Sequence, residues 1–191
     1  MIMTTTFPEQ QTESTAPEAV VKDAVAAYMY LYPLVVVGVS YEVLTNVEKP
    51  TWEKLSAPIN QLMSVRESRP DNHGVILPST DTLYTAGWSD VSKEPVVFTT
   101  PAIPNIPGTN KKRFMMYQFM DAWTNVYYSN GLQKGLVSKT SFILVGPDFK
   151  GDLPKITNSI VVHCTTNQSW VIVRTQVEGF HDLDNARSRS I

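Results

Sequence analysis

His73, His163, His181 and the single cysteine, Cys164, are the side chains best suited to metal binding or nucleophilic attack. Their spacing argues against both. No two histidines lie close enough in sequence to share a metal, and one cysteine excludes an internal disulfide framework and a multi-thiolate zinc site. Cys164 stands next to His163, but neighbours on a strand point to opposite faces and cannot easily share a proton. Gly131 and Gly135 lie four apart with no Gly-Lys-Ser/Thr after them, so no phosphate-cradling loop is present, and no Gly-x-Ser-x-Gly elbow occurs. No metal or cofactor is expected from these residues, and whether the chain is an enzyme is left open.

A second set consists of polar residues embedded in aromatic segments. Asp81, Thr82 and Tyr84 lead into Trp88; Asp121 is followed by Trp123 and Thr124; Arg174 lies within Trp170-Val171-Ile172-Val173-Arg174-Thr175. Two-residue alternation puts Arg174 on the face of Trp170 and Ile172, opposite Val171 and Val173. If that face points inward, the guanidinium needs a carboxylate, and Asp81 or Asp121 is the natural partner. The simpler outcome is a structural ion pair that pins strand register. The functional one is a polar cluster edging a ligand cleft.

The elements that must carry these residues follow from composition and punctuation. The 191 residues suffice for one core, and 16 Lys+Arg against 18 Asp+Glu gives no electrostatic case for nucleic acid or an anionic membrane. Residues 1–17, rich in Thr, Glu, Gln and Pro, read as a disordered tail without a secretory pattern, so a soluble, cytoplasmic protein is expected. Pro17-Glu18 starts a helix. The stretch Ala24 to Val39 is uncharged but shorter than a bilayer span and contains Pro33, which predicts a buried helix kinked there. A weaker helical pattern covers Trp52 to Val65, interrupted by Pro58, and the helical segment is assigned to 18–70.

From Val75 onward short apolar runs alternate with Pro, Gly, Asn and Asp, as strands joined by turns do. Strands are predicted at Thr82–Ser89, Val96–Thr99, Arg113–Met120, Asn125–Tyr128, Ser141–Val145, Ser159–His163 and Trp170–Val177, within a β-sandwich spanning 71–180. Pro101 to Gly108 is a loop. The basic run Lys111-Lys112-Arg113 is placed at a solvated turn. The expected class is α+β, a helical N-terminal segment packed on an antiparallel β-sandwich.

Several blocks in this order resemble the family of proteins carrying the domain of unknown function 1254. They are Leu77 to Thr85, Trp88 to Val97, Met120 to Val126, Ile143 to Pro154 and Trp170 to Thr175, with Tyr32-Pro33-Leu34 near the start. The resemblance implies an immunoglobulin-like sandwich. It also implies, in longer relatives, a second β domain of the 1214 type after a linking helix. Residues 181–191 look like the start of that helix, which would leave this chain without the second half. Asp81, Thr82, Tyr84, Trp88, Asp121, Trp123, Thr124, Arg174 and Thr175 match the family pattern. Ser79 replaces a usual Asn, and Gly131-Leu132-Gln133-Lys134 replaces a usual Gly-x-Arg-Thr.

Two functions are therefore expected as alternatives. In one, the protein binds a small molecule, uncharged or weakly acidic, as an accessory or enzymatic component of a metabolic pathway, with specialised metabolism as an example. In the other it is a non-catalytic structural or interaction domain, a truncated family member. The protein partner expected in either case is a second copy or a domain supplying the missing half.

Overall fold

A computed structural model describes residues 17–66, 79, 81–130, 136 and 138–187. The expected tail before residue 17, His73, the 131–134 departure and residues 188–191 lie outside the described residues. The chain divides into two compact units between Tyr32 and Pro33, inside the helix α1 (Glu18–Thr45).

In the first unit, residues 18–32 of α1 are exposed throughout, with the Tyr28 and Tyr32 rings 5.5 Å apart along the helix. In the second unit, α1 turns Leu34, Val37, Tyr41 and Leu44 away from solvent. Tyr41 sets its ring edge on Trp88 at 5.6 Å, and the Leu44 carbonyl accepts a hydrogen bond from the Ala57 N–H at 3.1 Å. The expectation of a buried helix is thus corrected. The helix runs through Pro33 as one element, and Val37 is its one buried residue. The reason lies in its composition: apolar side chains occupy every side of α1, while a protein surface can cover only one. By length and composition alone α1 could cross a membrane.

Trp52–Val65 is also not helical. Thr51 and Ser56 bridge across a turn, Leu55 and Asn60 take left-handed backbone, and a short strand β1 (Leu62–Ser64) follows. Pro58 stops helix growth, and β1 finds hydrogen bonds on a sheet edge instead.

The seven predicted strands all form, as β2 (Thr82–Asp90), β3 (Val96–Thr100), β4 (Met115–Met120), β5 (Val126–Ser129), β6 (Thr140–Val145), β7 (Ser159–His163) and β8 (Gln168–Gln176). They build a five-stranded sheet, β1-β2-β8-β4-β5, and a three-stranded one, β3-β6-β7. The first is antiparallel throughout, whereas β6 and β7 run parallel, a departure from the expected all-antiparallel arrangement. The connection 146–158 is long enough to bring the chain back to the same end. The result is an α+β protein whose two sheets face each other across aromatic rings. Phe98 and Phe142 of one sheet meet Tyr117 and Phe119 of the other, with Phe119 edge-on to Phe142 at 5.2 Å. Val171 and Val173 complete this face.

Arg113 corrects a further expectation. Lys111 and Lys112 are exposed, but Arg113, just before β4, is buried. Its two terminal nitrogens each donate to Asp182 at 2.6 Å, and one also donates to the Gln176 carbonyl at the end of β8. Asp182 accepts the Glu178 N–H as well, and lies in a 3-10 turn, Phe180–Asp182, leading into α2 (Leu183–Arg187). The Arg113 hydrogen bonds, joined by that N–H, hold the Asp182 carboxyl below its ordinary range despite its burial.

Breaking this pair strands a buried guanidinium. Asp182→Asn is expected to cost about 3–5 kcal/mol in urea unfolding at neutral pH. Because the folded value is lowered, the contribution is present above about pH 4 and lost as pH falls through that lowered value. The variant should therefore lose less stability than the parent on acidification; equal losses would show that Asp182 does not govern this window. At Gly87, a Cβ would overlap the Gln61 carbonyl oxygen and the Leu62 side chain. Gly87→Ala should cost about 1–3 kcal/mol by pushing β1 off β2, read by the same unfolding measurement.

Candidate functional site

β8 is the strand between β2 and β4, and its alternation sorts the candidate residues. Ser169, Val171, Val173 and Thr175 are buried between the sheets, while Trp170, Ile172 and Arg174 lie half-buried on the other face. Arg174 is therefore on the outside of the sandwich, with the parity read from sequence but not in the core. Its cross-strand neighbours are Tyr84 on β2 and Met116 on β4. Thr175, by contrast, is a core residue.

The expected ion pair is not formed. Among the described residues the ion pairs are Arg113–Asp182 and Arg187–Asp184, and Arg174 takes part in neither. Its guanidinium carbon lies 5.8 Å from the centre of the Tyr84 ring, within cation–π range, and its Nε is shielded from solvent with no hydrogen-bond partner. Asp81 precedes β2 beside the Gln176 end of β8, whereas Asp121 follows β4 beside the Ser169 end. Strand geometry separates them by about 25 Å, so no single cluster can contain both.

At the first end, Asp81 is exposed and accepts a 2.6 Å hydrogen bond from the Ser79 hydroxyl, while the Ser79 N–H reaches the Tyr84 hydroxyl at 3.4 Å. Thr82, at the head of β2, has a shielded hydroxyl without a partner. Trp88, on the same face further along β2, is buried and stacks on Trp170 at 5.6 Å. Tyr84, Arg174 and Ile172 thus lie between a polar end and an indole pair on one continuous half-apolar face.

At the second end, Asp121 is buried and fully used. One carboxylate oxygen accepts the N–H groups of Trp123 and Asn125, each at 2.9 Å; the other accepts the Asn125 amide and the Thr165 hydroxyl, each at 3.1 Å. Burial pushes its pKa up, but these donors outweigh it and leave the carboxyl below its usual range. Four donors fill the four lone-pair positions of a carboxylate. Thr124 takes left-handed backbone to close this turn and stands exposed. Asp121, Trp123 and Thr124 therefore form a structural turn.

Sequence reasoning missed a buried polar group near this turn. Tyr127 shares hydrogen bonds with Ser169 and with the Cys164 sulfur, the latter at 3.3 Å. Burial raises the pKa of both Tyr127 and Cys164, which keeps the thiol protonated and unreactive. His163 points to the exposed side, as the strand alternation predicted. No sequence spacing links residues 127, 164 and 169. Among the described residues no group of His, Cys, Asp and Glu can hold a metal ion. A cleft of about 380 Å³ opens between β1 and β3, lined in part by Asn60, Gln61, Ser89 and Phe98. It contains none of the eight candidates and no charged side chain.

Comparison with known proteins places this geometry. Among solved structures, the VPA0106 protein from Vibrio parahaemolyticus shares the fold with a TM-score of 0.64 and 22% sequence identity. The match covers 88% of this chain and 36% of that one, so the present chain spans little more than a third of the relative's length. No match was found among curated proteins. The family model described as "Protein of unknown function (DUF1254)" matches residues 59–190, most of the chain and all of the sandwich. The chain belongs to the DUF1254 family.

Proposed function

We propose that the protein binds a small, weakly acidic molecule on the outer face of the five-stranded sheet, as an accessory component of a metabolic pathway in the cytoplasm. The observation that carries this reading is the Arg174 guanidinium, held over Tyr84 without a counter-charge among the described residues. A half-buried donor with no acceptor is a standing cost in the free protein, and a ligand carboxylate removes it. Trp170, Ile172 and Met116 supply the apolar surroundings such a ligand needs, and Tyr84 a hydroxyl to orient it. Asp121 is left out of the site, because its acceptors are already occupied.

The alternative, a non-catalytic interaction domain, is favoured by one different observation, the exposed apolar surface of α1. The two readings use separate parts of the molecule.

Titration with aryl and alkyl carboxylates, followed by tryptophan fluorescence, tests the first. Saturable binding of acids such as benzoate or indole acetate is expected, with their neutral amides failing to compete. Arg174→Gln should weaken acid binding roughly 10- to 100-fold, the value of a charge-assisted hydrogen bond. Since no ion pair is broken, the same variant should unfold within about 1 kcal/mol of the parent. Equal affinity for acid and amide, or no effect of the substitution on binding, would sink the proposal. A loss of several kcal/mol in stability would assign Arg174 a structural role instead.

A further inference from the structure

Arg174 lies on the central strand of the five-stranded sheet, and the outer face differs in kind on its two sides. Toward the Gln176 end of β8 it is polar and acidic. The Gln176 side chain is engaged, accepting the Phe114 N–H at 3.0 Å and donating to Glu178 at 3.4 Å. The exposed Asp81 carboxylate stands just before Thr82, the residue opposite Gln176. Toward the Trp170 end the face is apolar, since strand pairing sets Ala86 beside Ile172 and Trp88 beside Trp170. A molecule whose carboxylate meets Arg174 therefore has one favourable direction for an apolar body. It points away from Asp81 and Glu178, over Ala86 and Ile172.

Ala86 is the smallest outward side chain of β2. It sits between a tyrosine and a tryptophan, on a strand paired on both sides, and is still partly open to solvent, as is Ile172. The step between the Tyr84–Arg174 layer and the Trp88–Trp170 layer is thus left partly open. Four residues of strand set these layers about 13 Å apart. Aromatic rings in contact keep their centres about 4.5–7 Å apart, so two such spacings span the same distance and admit one ring between the layers. The wall on one side is ordered, because the Trp88 and Trp170 indoles stack 5.6 Å apart and within 13° of parallel. The other wall is Tyr84, in cation–π contact with Arg174.

We infer, resting on the reading of Arg174 as the acid-binding group, that the ligand class is a planar aromatic carboxylic acid. Its ring is seated over Ala86 and Ile172, between Tyr84 and the Trp88–Trp170 pair, with its carboxylate on Arg174. Ala86 is then the residue that sets specificity. A longer side chain there would take up the space of the ring while the guanidinium stayed in place. A saturated ring of the same size has apolar surface to bury but no flat face to set against the rings on either side.

Calorimetric titration of the full chain with benzoate, cyclohexanecarboxylate and acetate tests this without any substitution. Benzoate is expected to bind roughly 3- to 10-fold more tightly than cyclohexanecarboxylate, although the saturated ring is the more apolar of the two. In Ala86→Leu the loss of affinity for benzoate should exceed the loss for acetate by roughly 10-fold. Equal affinity of the parent for the two cyclic acids would overturn the inference, whatever the variant does. So would an Ala86→Leu protein that loses benzoate and acetate in the same proportion. Either result leaves acid binding at Arg174 standing, whereas a chain that binds none of the three acids overturns both.

Discussion

The Arg113–Asp182 pair brings three parts of the chain to one buried point. Arg113 lies where the chain enters β4, the Gln176 carbonyl ends β8, and Asp182 belongs to the turn before α2. A guanidinium is tolerated in a dry interior only if its charge and its donors are met together. Satisfying it therefore fixes the register of β4 on β8 and the position of the turn in one step. Shifting either strand by one residue would exchange faces and leave both charges in the core unpaired.

With β8 fixed in this way, the identity of every outward side chain follows. Val171 and Val173 meet the aromatic rings of Phe98, Phe119 and Phe142, so Trp170, Ile172 and Arg174 must face away. The outer face inherits an arginine that no carboxylate among the described residues meets. The inner face inherits Ser169 and Thr175, and the first of these is satisfied by Tyr127. Among the described residues one arginine is thus paired with a carboxylate and the other is not. That asymmetry gives the outer face its chemical character.

Much of this was legible from sequence because it depends on local alternation. The seven strands, the loop from Pro101 and the parity of β8 all follow from period-two patterning and from Pro and Gly. The long-range facts were not legible. Arg113 and Asp182 lie 69 positions apart, and nothing local distinguishes Arg113 from the exposed Lys112. The sequence correctly demanded a carboxylate for a buried arginine but assigned it to Arg174, since only the three-dimensional pairing tells which face of a strand is inside. β1 was hidden because three residues at a sheet edge carry no period, and their pairing depends on the bare Gly87 opposite. Asp81 and Asp121 looked equivalent as strand-end carboxylates; among the described residues the first accepts one hydrogen bond and the second four, two from backbone N–H groups and two from side chains.

α1 follows the same logic of faces with a different outcome. Val35, Val36, Val37 and Val39 are poor helix formers, and Pro33 removes one backbone hydrogen bond, so intrinsic propensity does not account for 28 helical residues. Packing accounts for the later half, where Tyr41 rests on Trp88 and Leu44 on the Ala57 N–H. Residues 18–32 are exposed in their own unit, and isolated helices of about 15 residues are marginal in water.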